Sequence, residues 1–312
     1  MKLVLCVLAT AACSGPTTPD ADAFVSPTAL PARLSGTGLY RNVATKEIAS
    51  DHVEFMPAHE LWSDAATKRR WVHLPAGAQI DSRDLDHWLF PVGTKWFKEF
   101  VRADRRLETR LIWRVADTGD REVDTLFGAY VWDDVEADAH LRVDGARDVR
   151  GTDHDVPDAD TCWKCHVGEP GRALGFSAVQ LRDVSQLSLS SPPPAGTQLG
   201  APNAALGYLH ANCGHCHNPN GGAWASSNVV LRLAADETAA TSTAIYQTNV
   251  GAPLTHWLGF GYTHRIVAGE PDASAVVYRT AQRASNVQMP PIATEHPDSD
   301  GVAVLRAWVQ GL

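Results

Sequence analysis

Of the 312 residues, only 3 are methionine and 6 are cysteine. Six thiols are too few to staple a chain of this length into a disulfide-dense scaffold. Positive charge is in deficit as well: 27 Lys and Arg stand against 36 Asp and Glu, a net charge of −9. That balance argues against a nucleic-acid binder, which needs a basic face to neutralise phosphates. Outside the extreme N-terminus there is no long apolar run free of charges, so no membrane-spanning helix is expected in the body. The central region holds no nucleophile triad, no phosphate-binding glycine loop and no paired acidic motif. The composition itself, 44% hydrophobic and 20% charged, excludes wholesale disorder. The length suggests about two domains.

Residues 1–12 carry one positive charge and then a short apolar stretch ending in small residues, the layout of an export signal. Cys13 follows directly, where the cysteine of a bacterial lipoprotein box would be lipidated, although Thr10 stands where such boxes usually carry leucine. The expectation is export to the periplasm or cell envelope, with membrane attachment through a lipid on Cys13. Ordinary cleavage near Ala11 or Ala12, with Cys13 incidental, is the competing reading. Cys6 lies inside the apolar stretch and would be discarded with it. Residues 13–38 are rich in Pro, Thr, Ala and Asp without a sustained period, and read as a flexible tether.

Residues 39–155 read as a β-rich domain. Leu107–Val115 alternates nearly cleanly, with Leu107, Thr109, Leu111, Trp113 and Val115 on one side and Glu108, Arg110, Ile112 and Arg114 on the other. Shorter extended runs appear at Arg70–Leu74, Lys95–Val101 and Phe127–Trp132, separated by turn signals such as Pro75-Ala76-Gly77 and Pro91-Val92-Gly93. Strands at this spacing predict a sandwich or a partial barrel. Six of the ten tryptophans fall in this region and are expected to fill its core.

Four of the six cysteines sit in two clusters, Cys162-Trp163-Lys164-Cys165-His166 and Cys213-Gly214-His215-Cys216-His217. Both fit the pattern for covalent attachment of a c-type haem. Two thiols at i and i+3 lie on one side of a helical turn and can each form a thioether, while the adjacent histidine offers its imidazole to the iron. Cys162, Cys165 and His166, and likewise Cys213, Cys216 and His217, are therefore candidate cofactor-binding residues, with His166 and His217 as metal ligands. A Cys₄ zinc site is the main competing reading, but its paired knuckles usually lie roughly 15–20 residues apart. Here the second cluster starts 51 residues after the first (213 against 162), and each has its own histidine. A redox dithiol explains neither histidine. Residues 156–200 then hold the first attachment segment and a Pro-rich linker, and residues 201–312 a second domain.

In that second domain Ala204–Asn212 has helical spacing ahead of the cluster. A further helix is expected near Ser274–Arg283, then the loop Met289-Pro290-Pro291, then an amphipathic closing segment Ser299–Val309. This order resembles a class I cytochrome c domain, and the resemblance implies His217 and Met289 as the axial pair of the second haem. Upstream, Glu60-Leu61-Trp62-Ser63-Asp64, Lys68-Arg69-Arg70-Trp71, Trp88–Thr94, Glu108-Thr109-Arg110 and Leu174–Leu181 extend the resemblance over nearly all of residues 55–312. The chain resembles bacterial exported diheme c-type cytochromes. The implied fold class is α+β, a β-rich N-terminal domain followed by an α-helical cytochrome c-like domain.

The distal ligand of the first haem is left open among a histidine, Met56 and none. His140 and His154 lie nearest upstream, and His210 and His215 near the second cluster. The expected cofactors are two covalently attached haem c groups, and the expected function is single-electron transfer to or from redox partner proteins. More an electron carrier than a catalyst is expected; a peroxidase-like enzyme, with the first haem catalytic and the second as relay, is the alternative. A binding role for the β-rich part is the third class. The acidic balance would suit a partner with a basic docking patch.

Overall fold

The computed structural model describes residues 26–120, 122–181, 183–194, 197, 200–284 and 286–312. The expected export signal at 1–12 and Cys13 lie outside the described residues. The chain is mixed α+β: an antiparallel sheet dominates the first half and short helices the second.

Strands β1 (Tyr40–Asn42) and β2 (Glu47–Ile48) pair with each other as a small ribbon. Strands β3 (His52–Glu54), β4 (Thr67–His73), β5 (Lys95–Arg102), β6 (Arg105–Arg114), β7 (Thr125–Trp132) and β8 (Ala139–Leu141) pair in sequence order into one six-stranded meander. The four runs read as strands from alternation fall in β4 to β7. Local chemistry sets the tightest hairpin: Ala103 and Asp104 both have left-handed φ, 47° and 59°, between β5 and β6. Such a two-residue turn matches the natural twist of antiparallel strands.

Among the described residues no second sheet of comparable size faces the meander, so the sandwich arrangement is not formed. Other elements cover both faces instead. On one face Trp71, Phe97, Leu111, Tyr130 and Trp132 pack with Leu34, Leu39 and Tyr40. This corrects the expected tether at its C-terminal end. Leu30, Leu34 and Leu39 turn apolar surface onto the sheet, Leu34–Thr37 forms a 3₁₀ turn, and the Tyr130 hydroxyl donates to the Pro31 carbonyl at 3.0 Å.

The opposite face carries Val72, Trp96 and Ile112, packed with Trp88, Phe90, Phe176 and Leu181. Its neighbouring rows are charged, because the register sets Arg70 opposite Lys98, and Lys98 opposite Arg110. The alternation of β6 is thus real, yet its polar side is largely covered. Glu108 is 0% exposed.

The helices are α1 (Ala159–His166), α2 (Ala204–Asn212), α3 (Trp224–Ser227), α4 (Ala244–Asn249), α5 (Ala275–Thr280) and α6 (Ser299–Gln310). Asp158 caps α1 by accepting the Thr161 N–H, Asn203 caps α2 through Leu206 N–H, and Asp298 caps α6 through Gly301 N–H. Leu206 and Leu209 of α2 meet Val277 of α5 and Leu305 and Val309 of α6 in one buried cluster. Contacts from Trp62 and Asp64 fasten this helical part to the sheet. The Asp64 carboxylate accepts the N–H groups of Glu295 and His296 at 2.9–3.1 Å. The Trp62 N–H donates to Asn212 Oδ1 at 2.7 Å, and its indole donates to the His296 carbonyl at 2.9 Å.

Candidate functional site

Cys162, Cys165 and His166 lie on α1, as the i and i+3 spacing requires. All three line a cavity of about 1210 Å³ between α1, the charged sheet face and the end of α2. His166 Nδ1 donates to the Arg172 carbonyl at 2.6 Å. That bond fixes the tautomer and leaves the Nε2 lone pair for a metal. Burial holds the His166 imidazole down at about 4, so it is neutral at pH 7.

The second cluster begins where α2 ends, with Cys213 as its C-cap, and runs through tight turns rather than a helix. Cys213, Cys216 and His217 line a second cavity of about 1270 Å³. Met289, Pro290 and Pro291, in the loop between α5 and α6, line the same cavity. The Ser227 hydroxyl donates to the Ala223 carbonyl at 2.8 Å and lies 3.3 Å from His217 Nδ1. Its oxygen therefore accepts from Nδ1–H and leaves Nε2 with a lone pair. Burial also holds His217 down at about 4.

The two attachment turns touch. Cys216 Sγ lies 3.6 Å from the Lys164 carbonyl, and ligand atoms of Cys165, His215 and Cys216 all lie within 4.8 Å of one another. A Cβ on Gly168 would strike the His215 carbonyl, so a side chain there would separate the turns. Burial pushes the Cys162 thiol up to about 11 and Cys213 up to about 12. A shared hydrogen bond pulls Cys165 down and Cys216 up.

The histidines separate clearly. His154 is buried against Glu108, with 2.7 Å between Nε2 and a carboxylate oxygen, and neither it nor His140 lines either of these two cavities. Met56 is 67% exposed and lines neither cavity, so it is not placed as a ligand. His210 and His215 line the first cavity, and sequence reasoning missed a third, His59. The His59 ring lies on Gly207, where any Cβ would collide with it. His210 Nδ1 accepts the Leu233 N–H at 3.0 Å, so in the neutral ring the proton sits on Nε2. In this tautomer His210 is a hydrogen-bond donor rather than a lone-pair ligand. Burial holds it neutral, at about 3.

The sheet wall of the first cavity, also missed from sequence, holds Arg70, Lys98 and Arg110. Glu60 lies 3.1 Å from Arg70 and 3.3 Å from Lys68, and Glu108 binds Arg110 through both oxygens at 2.6 and 3.0 Å. Burial and the neighbouring cations Arg70, Lys68 and Arg110 push the Lys98 ammonium well below the ordinary lysine range.

Compared with protein-family models, curated proteins and solved structures, the chain finds no match. Among the described residues no helix is long and apolar enough to cross a membrane.

Proposed function

We propose that the protein is an exported diheme c-type cytochrome that transfers single electrons, with its second half a cytochrome c-like module. The carrying observation is that His217 and Met289, 72 positions apart (217 against 289), line one cavity with Cys213 and Cys216. The first cavity repeats the thiol–thiol–imidazole set with Cys162, Cys165 and His166. The residues fit two covalently held haem c groups: paired thiols for attachment and neutral imidazoles with a free Nε2 for the iron. Haem c supplies an iron that alternates between two oxidation states, and a thioether ligand favours the reduced one. The chain contributes the path between sites, because the anchoring sulfurs of Cys165 and Cys216 lie within 4.8 Å. The acidic net charge suits a redox partner with a basic patch, and a lipid on Cys13 would hold the protein at the cell envelope.

Pyridine haemochrome analysis with intact-mass measurement tests this reading. Two haems per chain are expected, and a zinc-containing chain without haem would refute it. Such a chain would point to the Cys165, His215 and Cys216 group as a direct metal site.

One observation favours a second reading, the peroxidase-like enzyme. His210 directs a donor tautomer into the first cavity, the kind of group that binds an oxygen ligand. Carbon monoxide and peroxide separate the two readings. A high-spin ferric signal that changes on their addition supports catalysis, and two low-spin haems that ignore both support transfer alone.

A further inference from the structure

The sheet register sets three cations side by side across β4, β5 and β6: Arg70 faces Lys98, and Lys98 faces Arg110. Like charges directly opposite on neighbouring strands are destabilising. Two of the three are answered within the chain, Arg70 by Glu60 and Arg110 by Glu108. The central one is not. Among the described residues Lys98 has no hydrogen bond or ion pair, and its ammonium rests only over the Phe100 ring at 4.8 Å. Arg70 Nη1 is buried without a partner. With Lys68 included, four cations stand against two carboxylates on this wall, an excess of two positive charges (4 − 2). Lys98 is half-buried and faces the cavity, and a cation drawn out of bulk water without a partner is unfavourable until an opposite charge joins it.

We propose that Lys98, flanked by Arg70 and Arg110, is the centre of an oxyanion site in the first cavity, taking a carboxylate or a small inorganic oxyanion. Two sources share that chemistry. One is a propionate of the haem attached at Cys162 and Cys165, which rests on the cytochrome reading. The other is a free oxyanion that enters the cavity. Lys98 is a positioning and binding residue in either case.

The test compares the purified wild type with Lys98→Met, which keeps the apolar stem, and Lys98→Arg, which keeps the charge. Readouts are haem count, midpoint potentials by spectroelectrochemistry, and titration with sodium formate and sodium nitrite. If a propionate fills the site, formate and nitrite leave the wild-type spectrum unchanged. Lys98→Met then lowers the potential of the first haem alone, since a lost positive charge favours the oxidised iron, and Lys98→Arg restores it. If a free oxyanion fills it, the wild type shows a saturable spectral change. Lys98→Met weakens that change about 10- to 100-fold, the range for a lost charge-assisted contact. Should the haem count be zero, the cytochrome reading fails by itself. The site is then decided by whether formate or nitrite raises the Tm of the wild type and not of Lys98→Met. A Lys98→Met protein with two haems, wild-type potentials and a wild-type anion response overturns the proposal, as does an equal Tm response in the haem-free case.

Discussion

Glu108→Gln removes a carboxylate that is 0% exposed and bound from three directions. Arg110 donates to both of its oxygens at 2.6 and 3.0 Å, and His154 Nε2 lies 2.7 Å from one of them. Burial alone would raise the carboxyl pKa, but Arg110 and the His154 bond outweigh it and hold the group at about 2 against an ordinary 4.5. At 1.36 kcal/mol per pKa unit, this corresponds to about 3 kcal/mol of stability, within the range for breaking a buried pair. The folded-state pKa is depressed, so this contribution is fully present above about 4.5 and is lost as pH falls toward 2. Glutamine cannot ionise. The stability difference between wild type and Glu108→Gln should therefore be about 3 kcal/mol at pH 7 and about half that at pH 3. Urea denaturation followed by far-ultraviolet circular dichroism at the two pH values measures it directly. A difference equal at both pH values, or below about 1 kcal/mol at pH 7, would refute the reasoning.

Three further perturbations address the sites. Met289→Leu should abolish the weak far-red band of sulfur-to-iron charge transfer and lower the potential of the second haem while the haem count stays at two; a surviving band excludes the methionine as ligand. Replacing Cys162 and Cys165 together by alanine should reduce the haemochrome count from two to one, and an unchanged count would locate the attachment elsewhere. Gly207→Ala places a methyl group against the His59 ring and should destabilise the fold by about 1–3 kcal/mol. A melting temperature equal to or above that of the wild type would show that the ring yields freely.

The local parts of this architecture were legible in the sequence. Alternation located the strands from β4 to β7, and helical spacing located α2 and α6, because these signals depend on neighbours two to four positions away. The Cys-x-x-Cys-His spacing was readable for the same reason. The row in which Lys98 faces Arg70 on one side and Arg110 on the other was not, since cross-strand register is a property of the hairpins and leaves no mark in any one strand. His59 escaped notice because it reaches the first cavity through tertiary packing, with its ring against Gly207. His210 gave no hint of its tautomer, which a backbone N–H from Leu233 dictates. The expected tether misled through composition: its last residues are rich in proline and small side chains, yet Leu30 and Leu34 suffice to seat them on the sheet.

The bonds from Trp62 and Asp64 bear on how such a chain can be inherited. Cutting near residue 200 would strand the Asn212 amide, the Glu295 and His296 amides and the Trp62 indole without their partners. Each orphaned polar group costs about 1–3 kcal/mol when it stays buried. The second half, whose Asn212 is buried, would therefore be weakened as a grafted cassette. Recombination that shuffled it onto another scaffold would have to bring along the few residues of the Glu60–Asp64 segment, lying far upstream of the cysteines they support.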